Sequence, residues 1–416
     1  MLKRLTLERF KGFEKAELNL GPLTLLVGTN ASGKSNLRDA FRFLHGISRG
    51  YTLAEIIGEK WIEGVLQWRG IRGGTREATF NQAKTFSLDA VFQTQEYGDG
   101  KYHIEVDVGE NSQPPRVVGE WLSFPDKKHT VFHSHPYRFP LDPYSSNRIG
   151  IAVPEYDHDG NDVGYQVKSY SNDKPVLLQI DQPRNYLQAA YKAFISMRFL
   201  DFLSPDAMRN PSLPGQTSLG DKGEYLSSVL QAICNDPARK KALINWLQEL
   251  TPMDAKDFEF PADQTGKILL SLVEENGQKT SAYSASDGTL RFLAMIALLL
   301  GPDPAKFYFF EELENGIHPT RSHLLLQLIE KKVSEGNIQI VATTHSPHLL
   351  GQLSQKSLEY VSFTYRLPGK PNAQIKRLMD IPEAAKILQE QDITRLHASG
   401  WLEDAVAFLD EDKTLE

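Results

Sequence analysis

The segment Gly28-Thr29-Asn30-Ala31-Ser32-Gly33-Lys34-Ser35-Asn36 constrains the fold of this chain more than any other stretch. It follows a short apolar run, Leu23 to Val27, and precedes Leu37, Ala40, Phe41 and Leu44, which recur at three and four residues. The pattern is a buried strand, a turn, and a helix with one apolar face. Glycines let the turn aim successive backbone N–H groups inward and open onto a helix N-terminus, where the partial positive charge favours an anion. Lys34 then supplies a point charge to the β- and γ-phosphates of a nucleotide, and the Ser35 hydroxyl reaches Mg²⁺. The spacing fits a phosphate-binding loop at every fixed position, which a mere Gly-rich turn has no reason to do.

Two later apolar runs end in polar residues suited to the same chemistry. Lys306-Phe-Tyr-Phe-Phe310 reads as a buried strand delivering Glu311 and Glu312 at its end. Buried strands often end in acids for solubility. This pair gains weight from its place after the phosphate loop and from its continuation as Leu-Glu314-Asn315-Gly316-Ile-His318-Pro319. In that setting Glu311 is expected to hold Mg²⁺ through water, and Glu312 to polarise the water that attacks the γ-phosphate. The second run is Ile340-Val-Ala-Thr-Thr344-His345-Ser346-Pro347. Alone, a histidine at such a strand end is more often structural; beside the other motifs, His345 is placed to contact the γ-phosphate or orient the attacking water. Tyr283-Ser-Ala-Ser286-Asp287-Gly288-Thr289 stands directly before the apolar run Leu290 to Leu300. Ser or Asp there caps a helix, and a helix N-terminus is also a phosphate site.

These four pieces, in this order, resemble the ABC-type ATPases of the RecF, OLD and SMC group, in which Walker A, a signature Ser-x-Gly, Walker B and a switch histidine make one site across two subunits. The resemblance implies an α/β fold: an ABC-type P-loop nucleotide-binding domain split in sequence, with a large mixed β and helical insertion. It implies an ATP-hydrolysing enzyme with ATP and Mg²⁺ as ligands. Gly28 to Ser35, Glu311, Glu312 and His345 of one protomer would face Ser286 and Gly288 of a second, with ATP between them. The opening segment Leu7-Glu-Arg-Phe10-Lys-Gly-Phe13 looks like the strand that precedes Walker A in this group. Arg198-Phe-Leu-Asp and Leu219-Gly-Asp-Lys-Gly223-Glu-Tyr-Leu look like the middle segment of small bacterial ATPases of this type. Two positions depart from the pattern. Glu311 replaces the usual Walker B aspartate, so a shifted metal or a bridging water must absorb the extra methylene. Asp287 stands where transporter signatures have glycine, bringing a carboxylate toward the γ-phosphate unless it points away as a cap. The glutamine that senses Mg²⁺ in such sites stays open among Gln93, Gln95, Gln166 and Gln179.

The organisation follows from these anchors. Residues 1–50 are expected to form the first part of the ATPase core, 51–283 an insertion, 284–380 the second part of the core, and 381–416 an acidic helical tail. Within the insertion, β-prone segments such as Ser87 to Gln95 and Tyr102 to Val108 are broken by Gly, Pro, Asn and Asp. Helical spacing follows around Asn185 to Phe202, Gly223 to Cys234 and Ala238 to Leu250. No sustained heptads are present, which argues against the long coiled-coil arms of SMC proteins. At 416 residues, 40% of them hydrophobic and 24% charged, the composition is that of an ordinary soluble chain, and no run of about 18 apolar residues could cross a bilayer. Charges interrupt the first ten residues, so no signal-peptide core is found and the mature chain is expected to start here. The single cysteine, Cys234, rules out an internal disulfide and agrees with a cytoplasmic location; it reads as a buried structural thiol.

A net charge of −7 provides no global basic field, so any contact with DNA must come from a local patch. Arg69, Arg72 and Arg76 with Trp61 and Trp68 are the best such patch, though a solvated surface is the more usual reading of such a run. His129, His133 and His135 lack a nearby cysteine or ordered carboxylate and are expected in a loop rather than around a metal. Two functions follow from the resemblance. One is a DNA-associated ATPase that closes as a homodimer around ATP and serves repair or anti-phage defence. The other is an ATP-gated scaffold for a separately encoded effector such as a Toprim-like nuclease, since too few residues follow His348 to form that domain here. A transporter subunit is disfavoured by the roughly 250 residues between Ser35 and Ser286 and by the Thr-His-Ser-Pro switch.

Overall fold

A strand that is apolar on both faces belongs in the middle of a domain. Leu23–Val27, Phe307–Phe310 and Gln339–Thr344 are buried at every position. The computed structural model describes residues 1–109, 113–125, 130–134, 147–156, 162–180, 185–200, 203–250, 255–315, 317 and 322–381, and these three strands lie side by side within it. They belong to a six-stranded sheet ordered Met197–Leu200, Phe307–Phe310, Gln339–Thr344, Leu23–Val27, Val361–Arg366, Ala373–Arg377. Every neighbour is parallel except the last hairpin.

Side chains alternate across this sheet with the strand period of two. Leu25, Val27, Tyr308, Phe310, Ile340 and Ala342 face a core shared with the helices Leu226–Cys234, Asp287–Leu300 and Ser322–Ser334. Leu26, Phe307, Phe309 and Val341 face the opposite core, with the helix Lys34–Ser48. There the Phe41 ring lies 5.0 Å from Phe307 and 5.9 Å from Phe309.

Beyond that helix lies an eight-stranded antiparallel sheet. Its order is Asp162–Ser171, Arg148–Tyr156, Phe132–Ser134, Arg116–Ser123, Gly98–Asp107, Thr85–Thr94, Leu2–Phe10, Phe13–Asn19. Residues on either side of position 50 thus share one sheet, with Leu5 opposite Ala90 and Leu7 opposite Leu88. The 51–283 span also enters the parallel sheet, because Met197–Leu200 pairs with Phe307–Phe310.

That strand differs from the helical expectation for 185–202. The helix Asn185–Ile195 stops early, and Ser196 sets the new register: its carbonyl accepts from Phe307 N at 3.0 Å and its hydroxyl from Lys306 N at 2.9 Å. A stretch as short as Met-Arg-Phe-Leu reads alike as helix or strand until its neighbour is known. His133 likewise lies in a strand, Phe132–Ser134, and not in a loop; its Nδ1 is 2.9 Å from Thr130 Oγ1. His129 and His135 lie outside the described residues, as does the expected tail beyond Ile381. Cys234 is half-buried rather than buried, and partial burial pushes its thiol up to about 11.

One buried carboxylate fastens the antiparallel sheet to the turn Val176–Leu178. Glu120 is fully buried; its Oε2 accepts from Val176 N at 2.6 Å, and its Oε1 from Leu177 N and the Tyr102 hydroxyl, both at 2.9 Å. Burial raises its pKa to about 7, against the pull of these donors. The folded chain therefore holds a proton there that the unfolded chain releases near 4.5, so this group's stabilisation is complete at low pH and fades as pH rises through 7. Urea melts across pH 5 to 8 should show that loss in the wild type. Glu120→Gln should abolish this component and cost about 1–3 kcal/mol, because its amide sets a donor against a donor.

Candidate nucleotide-binding active site

Parallel pairing brings the ends of three strands to one edge. Thr344 stands opposite Val27 and Ala342 opposite Phe310, so residues 28–35, 311–315 and 345–346 leave the sheet together. Ligand sites in open α/β sheets form at such carboxyl ends.

The phosphate loop takes the backbone its glycines allow. Gly28 has φ 154° and Gly33 φ 111°, and a Cβ on Gly28 would stand 2.1 Å from the Thr364 carbonyl. Gly33 is the N-cap of the Lys34–Ser48 helix with no side chain capping it, so the first-turn N–H groups face the loop. Thr364, fully buried on the neighbouring strand, braces this shape: its Oγ1 donates to Val27 O at 3.2 Å and lies 2.8 Å from Ser32 Oγ. Lys34 Nζ donates to the carbonyls of Gly28 (2.6 Å) and Thr29 (2.8 Å), bonds that a triphosphate must replace. Thr29, Asn30, Ala31 and Ser32 line a cleft of about 560 Å³ closed on its other side by the 366–371 turn. Ser35 and Asn36 open the helix.

Across the edge stand the carboxylates. Glu311 Oε2 accepts from Arg38 Nη1 at 3.1 Å, while its Oε1 is buried with no partner. A hard, unsatisfied oxygen at this place is of the kind that Mg²⁺ takes. Glu312 has φ 51°, a strained conformation for a residue with a Cβ, fixed by its N–H donating to Thr343 Oγ1 at 2.9 Å. His345 Nε2 lies 3.9 Å from Glu312 Oε1, and both side chains are partly exposed. The expected base, metal ligand and switch residue thus meet beside Lys34. Burial pushes the Lys34 ammonium down to about 8, with Glu312, Glu314 and Glu311 acting to raise it.

Ser286 is not drawn into this cluster. Its hydroxyl caps its own helix by accepting from Thr289 N at 3.1 Å, and among the described residues neither it nor Gly288 is hydrogen-bonded to the phosphate loop. The Asp287 carboxylate is answered by Arg209, whose Nη2 reaches Oδ1 at 2.6 Å and the Ala285 carbonyl at 3.1 Å. No candidate glutamine comes to the loop. Gln93 and Gln95 line a cavity with Lys306 and Gln339 at the opposite ends of the strands, Gln179 staples the 171–179 turn through Ser171, and Gln166 lies in the edge strand of the antiparallel sheet. The backbone that abuts Glu311 is Leu200, whose carbonyl accepts from Glu311 N at 3.1 Å. Gly316, His318 and Pro319 lie outside the described residues, as does Asp201.

Sequence reasoning passed over Arg38, Asp39 and Lys11. Fully buried Asp39 meets Arg38 at 3.4 Å, Arg72 at 3.1 Å and Lys11 at 3.3 Å. Arg38 follows Lys34 by one helical turn, a spacing that could have marked it. Arg72 is thereby turned toward this network, and Trp68 is half-buried with its Nε1 donating to Ile56 O at 3.2 Å. Of the expected basic patch, Arg69, Arg72, Arg76 and Trp61 are exposed, Arg72 while paired with Asp39.

Fold and site together define a P-loop ATPase of the ABC type, of the SMC and RecF kind. More narrowly, the chain belongs to the family described as "AAA domain, putative AbiEii toxin, Type IV TA system", whose model matches residues 23–99 and 126–351. It is 22% identical over 377 residues to a Helicobacter pylori protein named ATP/GTP phosphatase, the match covering 85% of this chain and 88% of that one. Its fold is similar to an SMC head bound to the C-terminal winged-helix domain of ScpA, with TM-score 0.53, 12% identity, and 90% and 97% of the two chains covered. The SMC head domain from Thermotoga maritima matches with TM-score 0.43 at 12% identity, covering 90% and 98%. Among the described residues no helix is long and apolar enough to cross a membrane.

The low Lys34 value has a direct consequence for binding. Nucleotide affinity, measured by calorimetry, should hold steady up to about pH 8 and weaken above it as the ammonium is lost, by at most about tenfold per pH unit for one linked proton. Lys34→Met should bind weakly at every pH, and a persisting pH slope in that variant would assign the proton elsewhere.

Proposed function

We propose that this chain hydrolyses ATP at a site completed by a second copy, the closed dimer acting on DNA in repair or anti-phage defence. The observation that carries the proposal is the meeting of Glu312, His345 and the phosphate-loop lysine at one sheet edge, while Ser286 and Gly288 sit at a separate helix end of the same chain. Backbone N–H groups of the loop and Lys34 would hold the phosphates. Ser35 and Glu311 would hold Mg²⁺, whose positive charge would offset that of the phosphates. Glu312 would take a proton from the attacking water, and His345 would orient that water or the γ-phosphate. Ser286 and Gly288 of the second copy would complete the cradle. ATP bridging two copies favours the closed form, and hydrolysis removes that preference.

A second reading, an ATP-gated scaffold for a separately encoded effector, draws support from the matched family's description as part of a toxin–antitoxin system. ATP-dependent retention of DNA by the purified protein alone favours the first reading, and a co-purifying neighbour favours the second.

Glu312→Gln keeps the shape of the side chain and removes its basicity. Turnover should fall by at least about a hundredfold, and an ATP-bound dimer should accumulate in size-exclusion chromatography. Undiminished phosphate release would take Glu312 out of the catalytic role.

A further inference from the structure

Glu312 and His345 come from different loops, so something must hold those loops in register. We infer that Glu314 is a positioning residue for hydrolysis: it ties the switch-histidine loop to the Glu312 loop and presents its second oxygen to a water in the site. This rests on the ATPase reading above.

Glu314 Oε1 accepts from the His345 backbone N–H at 2.9 Å. The reach is possible because the chain reverses at Glu312, whose positive φ is held by two bonds to Thr343: Glu312 N to Oγ1 at 2.9 Å and Leu313 N to the carbonyl at 3.0 Å. Asn315 N closes the turn onto Glu312 O at 2.8 Å. Among the described residues the two loops are therefore stitched by three hydrogen bonds, of which the Glu314 bond is the one that ends on the histidine's own backbone.

The other oxygen of Glu314 is buried and unanswered. Among the described residues two carboxylate oxygens are buried without a hydrogen-bond partner, Glu311 Oε1 and Glu314 Oε2. A charged oxygen closed off from donors is costly, and in a working protein such an atom meets an ion or an ordered water. Both carboxylates are close enough to the Lys34 ammonium to act on its charge, so both belong to the neighbourhood of the phosphate loop. Glu311 would be answered by Mg²⁺ in the proposed site. For Glu314 the chemistry leaves a water hydrogen, which an acceptor-only oxygen takes without competing for the proton that Glu312 removes. A carboxylate serving only solubility would turn both oxygens outward.

Glu314→Ala and Glu314→Gln separate this from a general structural role. The alanine variant should lower kcat about a hundredfold, the cost of misplacing a catalytic group by roughly an ångström. Its ATP dissociation constant, measured by calorimetry, should stay within about threefold of wild type, since it touches no phosphate. It should also lose the stable trapping of ADP by orthovanadate. Glutamine keeps a carbonyl for the His345 N–H and should recover kcat and trapping in part, not fully, because its NH₂ cannot accept from water. Wild-type kcat in the alanine variant, equal losses of kcat and affinity, or no recovery with glutamine would each overturn the inference. Wild type and Glu312→Gln are measured alongside. An inactive wild type refutes the ATPase reading itself, whereas an active wild type, a dead Glu312→Gln and an unimpaired Glu314→Ala refute only the role of Glu314.

Discussion

Everything at the site depends on the parallel register between Leu23–Val27 and Gln339–Thr344, which sets Thr344 opposite Val27. Because side chains alternate with a period of two, a slip of one residue would exchange the two hydrophobic cores and send Leu25 and Val27 to the face now held by Leu26. Burial on both faces makes that slip expensive. The same register fixes where the phosphate loop and the histidine begin, since each starts as its strand ends. Gln339 pins the far end of this pair, donating to the carbonyls of Leu2 (2.7 Å) and Gly21 (2.9 Å) and accepting from Leu2 N at 2.8 Å. A polar side chain with a buried Nε2 and Oε1 satisfied in this way ties the antiparallel sheet to the parallel one and admits a single alignment.

Charge is arranged around the loop with a bias that suits an anion. Asp39, fully buried, is shared by Arg38, Arg72 and Lys11, while Arg38 also engages Glu311. Burial lowers the Lys11 ammonium even though Asp39 acts to raise it. Such clusters are weak sources of stability, because desolvation offsets much of the Coulomb attraction. Their use here is in position: a wall of cations lies one helical turn beyond the residues proposed to meet the phosphates, and Arg38 restrains one Glu311 oxygen while the other has no hydrogen-bond partner. Phe13, also fully buried, lies directly under Gly33, where a Cβ would come within 2.8 Å of its ring. The hairpin that supplies Phe13 and Lys11 therefore shapes the loop from below.

Much of this was legible in the sequence because it is local. The phosphate loop is written in consecutive residues whose conformations are set by glycine, and Glu311, Glu312 and His345 could be read as the ends of apolar runs. Thr364, Thr343 and Asp39 could not, since each matters through a partner far along the chain: Thr364 braces Ser32 from 332 positions away. Met197–Leu200 was hidden for a related reason, as its strand identity depends on Phe307–Phe310 lying beside it. Residues 51–283 were legible as β-rich, yet the sharing of their strands between two sheets is a fact of pairing, which periodicity does not encode.

Asp287 shows how a departure from a motif can be absorbed. A carboxylate in the first turn of a helix favours the helix itself, because it meets the positive end of the dipole. The same carboxylate would oppose a phosphate brought to that end by a second copy. Arg209 reconciles the two demands: its guanidinium binds Asp287 Oδ1 at 2.6 Å and the Ala285 carbonyl at 3.1 Å, and so neutralises the acid while bracing the backbone beside Ser286. With the pair's charge cancelled, what the helix end presents to an anion is its free N–H groups, as a glycine at the same position would leave it. The substitution and its compensation come from helices about 80 residues apart, Pro205–Met208 and Asp287–Leu300, which pack directly on one another, so the signature can be understood only as a product of that packing.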